Sequence, residues 1–238
     1  MNTQYLDYTD GETTCEAYVA YDESVTSKRP CVLVSHQWSG QSDVERKKAE
    51  ELARLGYVGF AIDIYGKGVR GGLLEDNSKL MQPFVDDRVM LRRRILAALA
   101  AAQQHAMVAP DLIGAIGYCF GGLCALDLAR SAASGVKGVV SFHGVLHPPN
   151  IGEQAPITAK VLILHGYDDP LAAPEHVLAI ARELTEAKAD WQLHAYGHTM
   201  HAFTAEGVNL PERGLVYNAA AARRSWAAMK DFFEETLA

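Results

Sequence analysis

The apolar run Leu112-Ile113-Gly114-Ala115-Ile116 leads directly into Gly117-Tyr118-Cys119-Phe120-Gly121-Gly122, and a helical pattern begins immediately behind it. A strand ending in so sharp a turn throws the side chain of residue 119 outward. Glycines two positions before and two after it let the backbone pass without Cβ clashes. The usual residue at the crest of such a turn is serine; here it is cysteine. The pattern therefore reads as a thiol nucleophile presented at the end of a sheet strand, the arrangement of a hydrolase.

Strand and helix signals alternate along the rest of the chain. Cys15–Ala20 alternates like a strand with one exposed face, whereas Cys31–Val34 is a short continuous apolar run suited to a buried central strand. Asp43 is placed to cap a helix reaching Leu55 and stopped by Gly56, and Tyr57–Ile62 gives the next strand. Gly66–Gly72 is a glycine-rich loop, and the segment from there to Pro83 shows no clear period. Asp86–His105, Phe120–Ala132, Pro174–Lys188 and Asn218–Thr236 read as helices. Val136–Phe142, Val161–Leu164 and Trp191–Ala195 read as strands. Short buried strands joined by helices predict one α/β domain over residues 1–238, with a mostly parallel sheet and helices on both faces.

Composition narrows the function classes. The chain has 238 residues, is 49% hydrophobic and carries a net charge of -7. Its longest like-charge block, Arg92-Arg93-Arg94, sits in a helical pattern and reads as solvated surface. An acidic chain without a basic stripe is a poor nucleic-acid binder. Met1–Asp7 lacks the pattern of a secretory signal, and no window approaches the roughly 18 apolar residues of a membrane span. Cys15, Cys31, Cys119 and Cys124 form no Cys-x-x-Cys pair, so free thiols and a cytoplasmic location are expected. Cys31 and Cys124 read as core residues. No metal or other cofactor is expected, because His36, His143, His165 and the His198/His201 pair fit no metal-ligand spacing. The Gly66-x-Gly68 pair lacks the rest of a phosphate-binding fingerprint. A monomer acting on a small molecule is the expectation.

Reactive groups in open α/β sheets gather at the carboxyl ends of the strands. That rule collects His36-Gln37-Trp38, Asp63 and Tyr65, Cys119, His143, Asp168-Asp169 and His198/His201. Nucleophile, acid and histidine then follow in the chain order of the hydrolase fold. A thiol needs an imidazole to take its proton, and the imidazole needs a carboxylate to fix its tautomer. An oxyanion hole would use the N–H groups of Phe120, at a helix start, and of Trp38. Position alone leaves Asp168 against Asp169, and His198 against His201, open.

The residues also carry a resemblance. Val34-Ser35-His36-Gln37-Trp38-Ser39-Gly40, Asp63-Ile64-Tyr65-Gly66, the cysteine turn, His165-Gly166-Tyr167-Asp168-Asp169-Pro170 and His201-Ala202-Phe203 are similar to the dienelactone hydrolase family of the α/β-hydrolase superfamily. The resemblance covers most of the chain. It implies Cys119 as nucleophile, Asp169 as orienting acid, His201 as base, and ester or lactone substrates cleaved without metal. His198 is left as a pocket wall or loop hydrogen bonder, and Asp168 as a partner of loop backbone.

Two features depart from the family pattern. Gln37 stands where the family has a glutamate, and an amide can neither take a proton nor bear charge. Cys119 is then expected to ionise by donating to His201. The family's two substrate-carboxylate arginines are replaced by Lys67, with Arg70 nearby, and by Ala205. Lysine lacks the bidentate fork and alanine lacks charge altogether. Trp38, Tyr65, Leu73, Phe120 and Phe203 are expected to line a largely apolar pocket for neutral esters. Two other functions compete: metal-free opening of activated neutral phosphotriesters, and ligand binding on a hydrolase fold without catalysis.

Overall fold

The computed structural model describes residues 1–72 and 75–238; Leu73, expected in the pocket, lies outside the described residues. Eight strands form one sheet. In chain order they are β1 (Asn2–Asp10), β2 (Thr13–Tyr21), β3 (Arg29–Ser35), β4 (Val58–Ala61), β5 (Val108–Tyr118), β6 (Val136–Phe142), β7 (Lys160–Gly166) and β8 (Trp191–Tyr196). Their spatial order is β1-β2-β4-β3-β5-β6-β7-β8. β1 pairs antiparallel with β2, and β2 with β4; every later pairing is parallel. The carboxyl ends of β3, β5, β6 and β7 thus point the same way, and this shared edge carries the site.

Helices cover both faces. α1 (Asp43–Arg54) and α6 (Ala219–Thr236) pack on one, with Leu52, Met229 and Phe233 against Val32, Ile116 and Val140. α2 (Ser78–Asp86), α3 (Arg88–Gln104), α4 (Phe120–Arg130) and α5 (Pro174–Glu186) pack on the other, around Leu33, Ala115 and Val139. α4 is buried on every side. Its charges are therefore paired: Asp127 accepts from Arg88 at 2.6 and 2.8 Å and from Arg130 at 3.1 Å, while Arg130 also reaches Glu183 of α5. Removing one member would strand a buried charge. The network clamps the helix behind Cys119 to its neighbours.

The structure corrects several expectations. Ser42, not Asp43, caps α1, through a capping box with Glu45. The segment without period contains α2, whose repeat is interrupted by Pro83. The arginine triplet is not simply solvated. Arg94 is buried, bonding Asp10 at 2.9 Å and the Ile64 carbonyl at 2.9 Å, and Arg93 reaches the same carboxylate. Asp10 lies on β1, an edge strand whose mostly polar sequence gave no apolar signal. No helix is long and apolar enough to cross a membrane among the described residues.

Candidate active site

β5 delivers Cys119 with φ 57° and ψ -117°, a conformation costing about 1–3 kcal/mol for a residue with a side chain. The surroundings hold it there. The Cys119 N–H donates to the Phe142 carbonyl at 3.1 Å, and its own carbonyl accepts from Gly122 N at 2.9 Å. A Cβ on Gly117 would lie 1.9 Å from the Gly121 carbonyl oxygen, and one on Gly121 would lie 2.2 Å from that of Ser35. Both glycines are required because strand and helix meet at backbone contact. Cys119 is partly exposed, whereas Cys15, Cys31 and Cys124 are buried.

The loop after β7 supplies Asp169, whose Oδ1 accepts from Leu171 N at 2.8 Å and whose Oδ2 accepts from His201 Nδ1 at 2.7 Å. Both residues are buried. Burial acts to discharge His201, but the facing Cys119 sulfur and the Asp169 bond outweigh it and push the imidazole pKa up to about 10. No well-formed hydrogen bond joins Nε2 to the sulfur, although both groups line one cavity. Asp168 instead turns outward, its carboxylate 3.9 Å from His198, and the His198 ring is fully exposed. His198 is thus not a pocket wall.

His143 follows β6 with φ 37°. Its ring packs edge-on to His201 at 5.0 Å and to Phe203 at 5.1 Å, and its Nε2 is 2.7 Å from Thr204 Oγ1. Burial and the neighbouring His201 charge lower its pKa strongly, so it is a neutral wedge behind His201. Among the described residues no three His, Cys, Asp or Glu side chains converge as a metal-ligating group.

The turn after β3 is fixed by His36. Ile64 N donates to its Nε2 at 3.1 Å, so the proton sits on Nδ1, which donates to the Gln37 carbonyl at 2.6 Å. Burial lowers the His36 pKa to about 4, which keeps the ring neutral. Tyr65 donates to the Trp38 carbonyl at 2.9 Å, and buried Glu45 accepts from Gln37 N at 3.4 Å. The Trp38 N–H finds no acceptor among the described residues. Phe120 opens α4, where an N–H has no intrahelical acceptor.

A cavity of about 340 Å³ joins these parts, and its walls are mainly apolar: Trp38, Met81, Val145, Leu171, Val208, Leu210 and Leu215, with Gln37 and Ala205. Several expected wall residues stand elsewhere. Lys67 is exposed and paired with Asp7 at 2.8 Å and Glu16 at 3.0 Å, drawn to the β1–β2 hairpin by its acids. Arg70 turns to Asp63 at 3.3 Å. Tyr65 is a buried support for Trp38, and Phe203 is fully buried behind His143. No sequence pattern marks Arg213, which among the described residues is the one charged lining residue besides His201. It sits on the short hairpin of β9 (Asn209–Leu210) and β10 (Leu215–Val216), in a 3-10 turn, Pro211–Arg213. No period marks so short an element, and the bridge from His201 to Leu215 helps bring it to the site.

Comparison with known proteins places these features in context. The model of the dienelactone hydrolase family matches residues 15–237. The crystal structure of a dienelactone hydrolase-like promiscuous phosphotriesterase from metagenomic libraries superposes with a TM-score of 0.93 and 37% identity, covering 100% of this chain and 99% of that one. A probable 2-oxo-3-(5-oxofuran-2-ylidene)propanoate lactonase of Bradyrhizobium sp is 29% identical over 212 residues, 83% of this chain and 84% of the relative. A putative carboxymethylenebutenolidase of Aquifex aeolicus is 27% identical over 212 residues, 87% of this chain and 89% of the relative.

Proposed function

The chain belongs to the dienelactone hydrolase family, and from that premise we propose that it cleaves carboxylic esters or lactones through Cys119, His201 and Asp169. The observation carrying this reading is the buried 2.7 Å Asp169–His201 bond beside an outward cysteine in one cavity. The raised His201 pKa supports this imidazole as the group that takes the thiol proton, the acceptor that Gln37 cannot be.

In the reaction the Cys119 sulfur attacks the carbonyl carbon, and the carbonyl π electrons move to oxygen. The N–H groups of Trp38 and Phe120 meet that oxyanion. Collapse breaks the bond to the leaving oxygen, which takes the proton from His201 Nε2, and leaves a thioester on Cys119. Water then attacks the thioester while His201 takes its proton. Cys119 departs as thiolate and the acid is released. Asp169 holds the imidazole's orientation throughout.

The apolar walls suit the hydrocarbon part of a substrate, and Arg213 suits a carboxylate carried at the cavity mouth, as on the propanoate lactone named for the Bradyrhizobium relative. Cys119→Ala should reduce p-nitrophenyl acetate hydrolysis by on the order of 10³-fold or more; turnover equal to the parent would remove the nucleophile assignment. A chain that neither reacts with iodoacetamide at Cys119 nor turns over any ester would instead be a binding protein.

A second activity has specific support. The solved phosphotriesterase shares 37% identity over the whole chain, and the cavity's largely apolar lining suits a neutral triester. Paraoxon hydrolysis by chelator-treated protein, lost in Cys119→Ala, is expected; no turnover would restrict the enzyme to carbon centres.

A further inference from the structure

The two N–H groups offered to the oxyanion come from different parts of the chain, Trp38 from the turn after β3 and Phe120 from the start of α4. Their value depends on spacing, because both donors must lie roughly 3 Å from the oxygen as it becomes charged. One side chain touches both halves. The Tyr65 hydroxyl donates to the Trp38 carbonyl at 2.9 Å, and the Tyr65 ring stacks on Phe120 at 5.9 Å and 27°.

The turn after β3 is held through its peptides. The Trp38 N–H shares a planar peptide with the Gln37 carbonyl, which accepts from His36 Nδ1 at 2.6 Å and from Gly40 N at 3.2 Å. The next peptide carries the Trp38 carbonyl and is fixed by Tyr65. A Cβ on Gly40 would lie 3.3 Å from the Tyr65 ring, so the turn closes directly onto that ring. The ring itself has little freedom. Phe84 of α2 packs on it at 5.4 Å, His36 meets it edge-on at 4.6 Å, and Tyr65 is buried. The Tyr65 N–H donates at 3.1 Å to Oδ1 of Asp63, which is also buried. Burial, with the Cys124 and Cys119 thiols adding to it, holds the phenol well above its ordinary pKa, so the hydroxyl remains a donor.

We infer that Tyr65 is the positioning residue of the oxyanion hole, one side chain that sets the distance between the Trp38 and Phe120 N–H groups. The inference rests on the hydrolase reading of Cys119, Trp38 and Phe120. Tyr65 does not line the cavity, and its hydroxyl is committed to backbone. Its effect therefore belongs to the steps that place charge on a carbonyl oxygen, acylation of Cys119 and hydrolysis of the thioester. The nucleophilicity of the sulfur does not depend on it.

The test compares Tyr65→Phe with the parent in two reactions of the full-length protein. Phenylalanine keeps the stacked ring and loses the hydrogen bond. With p-nitrophenyl acetate, the burst of p-nitrophenolate and kcat should both fall about tenfold at unchanged KM, less than the loss of a whole donor costs. Methyl methanethiolsulfonate carries no carbonyl: the Cys119 sulfur attacks its sulfenyl sulfur, forms a disulfide to the methylthio group and expels methanesulfinate. Cys119 is the partly exposed thiol, Cys15, Cys31 and Cys124 being buried. Its labelling rate should stay within about twofold of the parent. Equal slowing of both reactions would overturn the inference, because Tyr65 would then support the elbow rather than the hole. Ester turnover equal to the parent, or a change confined to KM, would overturn it as well. Parent labelled at Cys119 should be inactive. Turnover surviving that label would remove the nucleophile, and this inference with it, before any variant is compared.

Discussion

The elbow at Cys119 and the hairpin at Arg213 face the same cavity but are held in different ways. At the elbow, backbone meets backbone: neither Gly117 nor Gly121 has room for a Cβ, and every residue of α4 behind it is buried. The hairpin has two residues per strand and exposes Arg213. It is tied by the bridge from His201 to Leu215 and by Gly214, whose φ of 69° and lack of a Cβ let the turn close on Pro170. The elbow therefore tolerates almost no change, and the contribution proposed for it is chemical. The hairpin can vary with little cost to the core, and the contribution proposed for it is selection among substrates. Changes at the elbow's partners should alter kcat for every ester, and changes at the hairpin should alter the ranking of esters.

The largest effect tests the rigid side. Asp169→Asn preserves the shape of the buried pair but removes the carboxylate that fixes the imidazole tautomer. It should lower kcat by on the order of 10³- to 10⁴-fold with little change in KM. A loss confined to KM would assign Asp169 to substrate binding instead.

A smaller effect concerns pH. The folded-state pKa of His201 is raised from 6.5 to about 10, burial being outweighed by Cys119 and Asp169. The protonated form thus stabilises the fold fully below the unfolded value of 6.5, and that contribution disappears as pH rises toward 10. Cys119→Ser removes the largest opposing charge and should return His201 toward its ordinary value. Between pH 7 and 10 the thermal midpoint of the parent should fall several degrees more than that of Cys119→Ser. Parallel slopes would deny that the Cys119 sulfur raises the His201 pKa.

On the hairpin, Arg213→Met should lower kcat/KM about fivefold for a carboxylate-bearing ester and leave its neutral counterpart unchanged. The exposure of Arg213 limits what one charge can contribute to about 1 kcal/mol. Equal losses for both esters would mean that the turn supports the elbow structurally, and the contrast between the two regions would fail.

The same contrast governs what was legible in the sequence. Cys119 could be read because its glycines are adjacent in the chain, and β6 because its apolar run coincides with one buried strand. Arg94 could not, since its partner Asp10 is 84 residues away on a largely polar edge strand. α2 was hidden by Pro83. The cavity wall was misread at Lys67 and Arg70 because acids on the β1–β2 hairpin and on the loop after β4 draw those cations away. Motifs encode what the backbone itself must do; long-range charge pairing decides where long side chains go, and no local pattern records it.

The smallest expected effect is none, and it discriminates between two neighbouring histidines. His198 and His201 are three residues apart, yet His201 is buried against Asp169, whereas His198 is fully exposed and 3.9 Å from an Asp168 carboxylate that is itself half-exposed. Solvent screens a pair of that kind to little or no net energy. His198→Gln should therefore leave kcat, KM and the pH profile within about twofold of the parent, inside the range of neutral surface substitutions. A profile shifted by that change would mean that the exposed imidazole turns inward during turnover. The loop after β8 would then be a working part of the site rather than the support of His201.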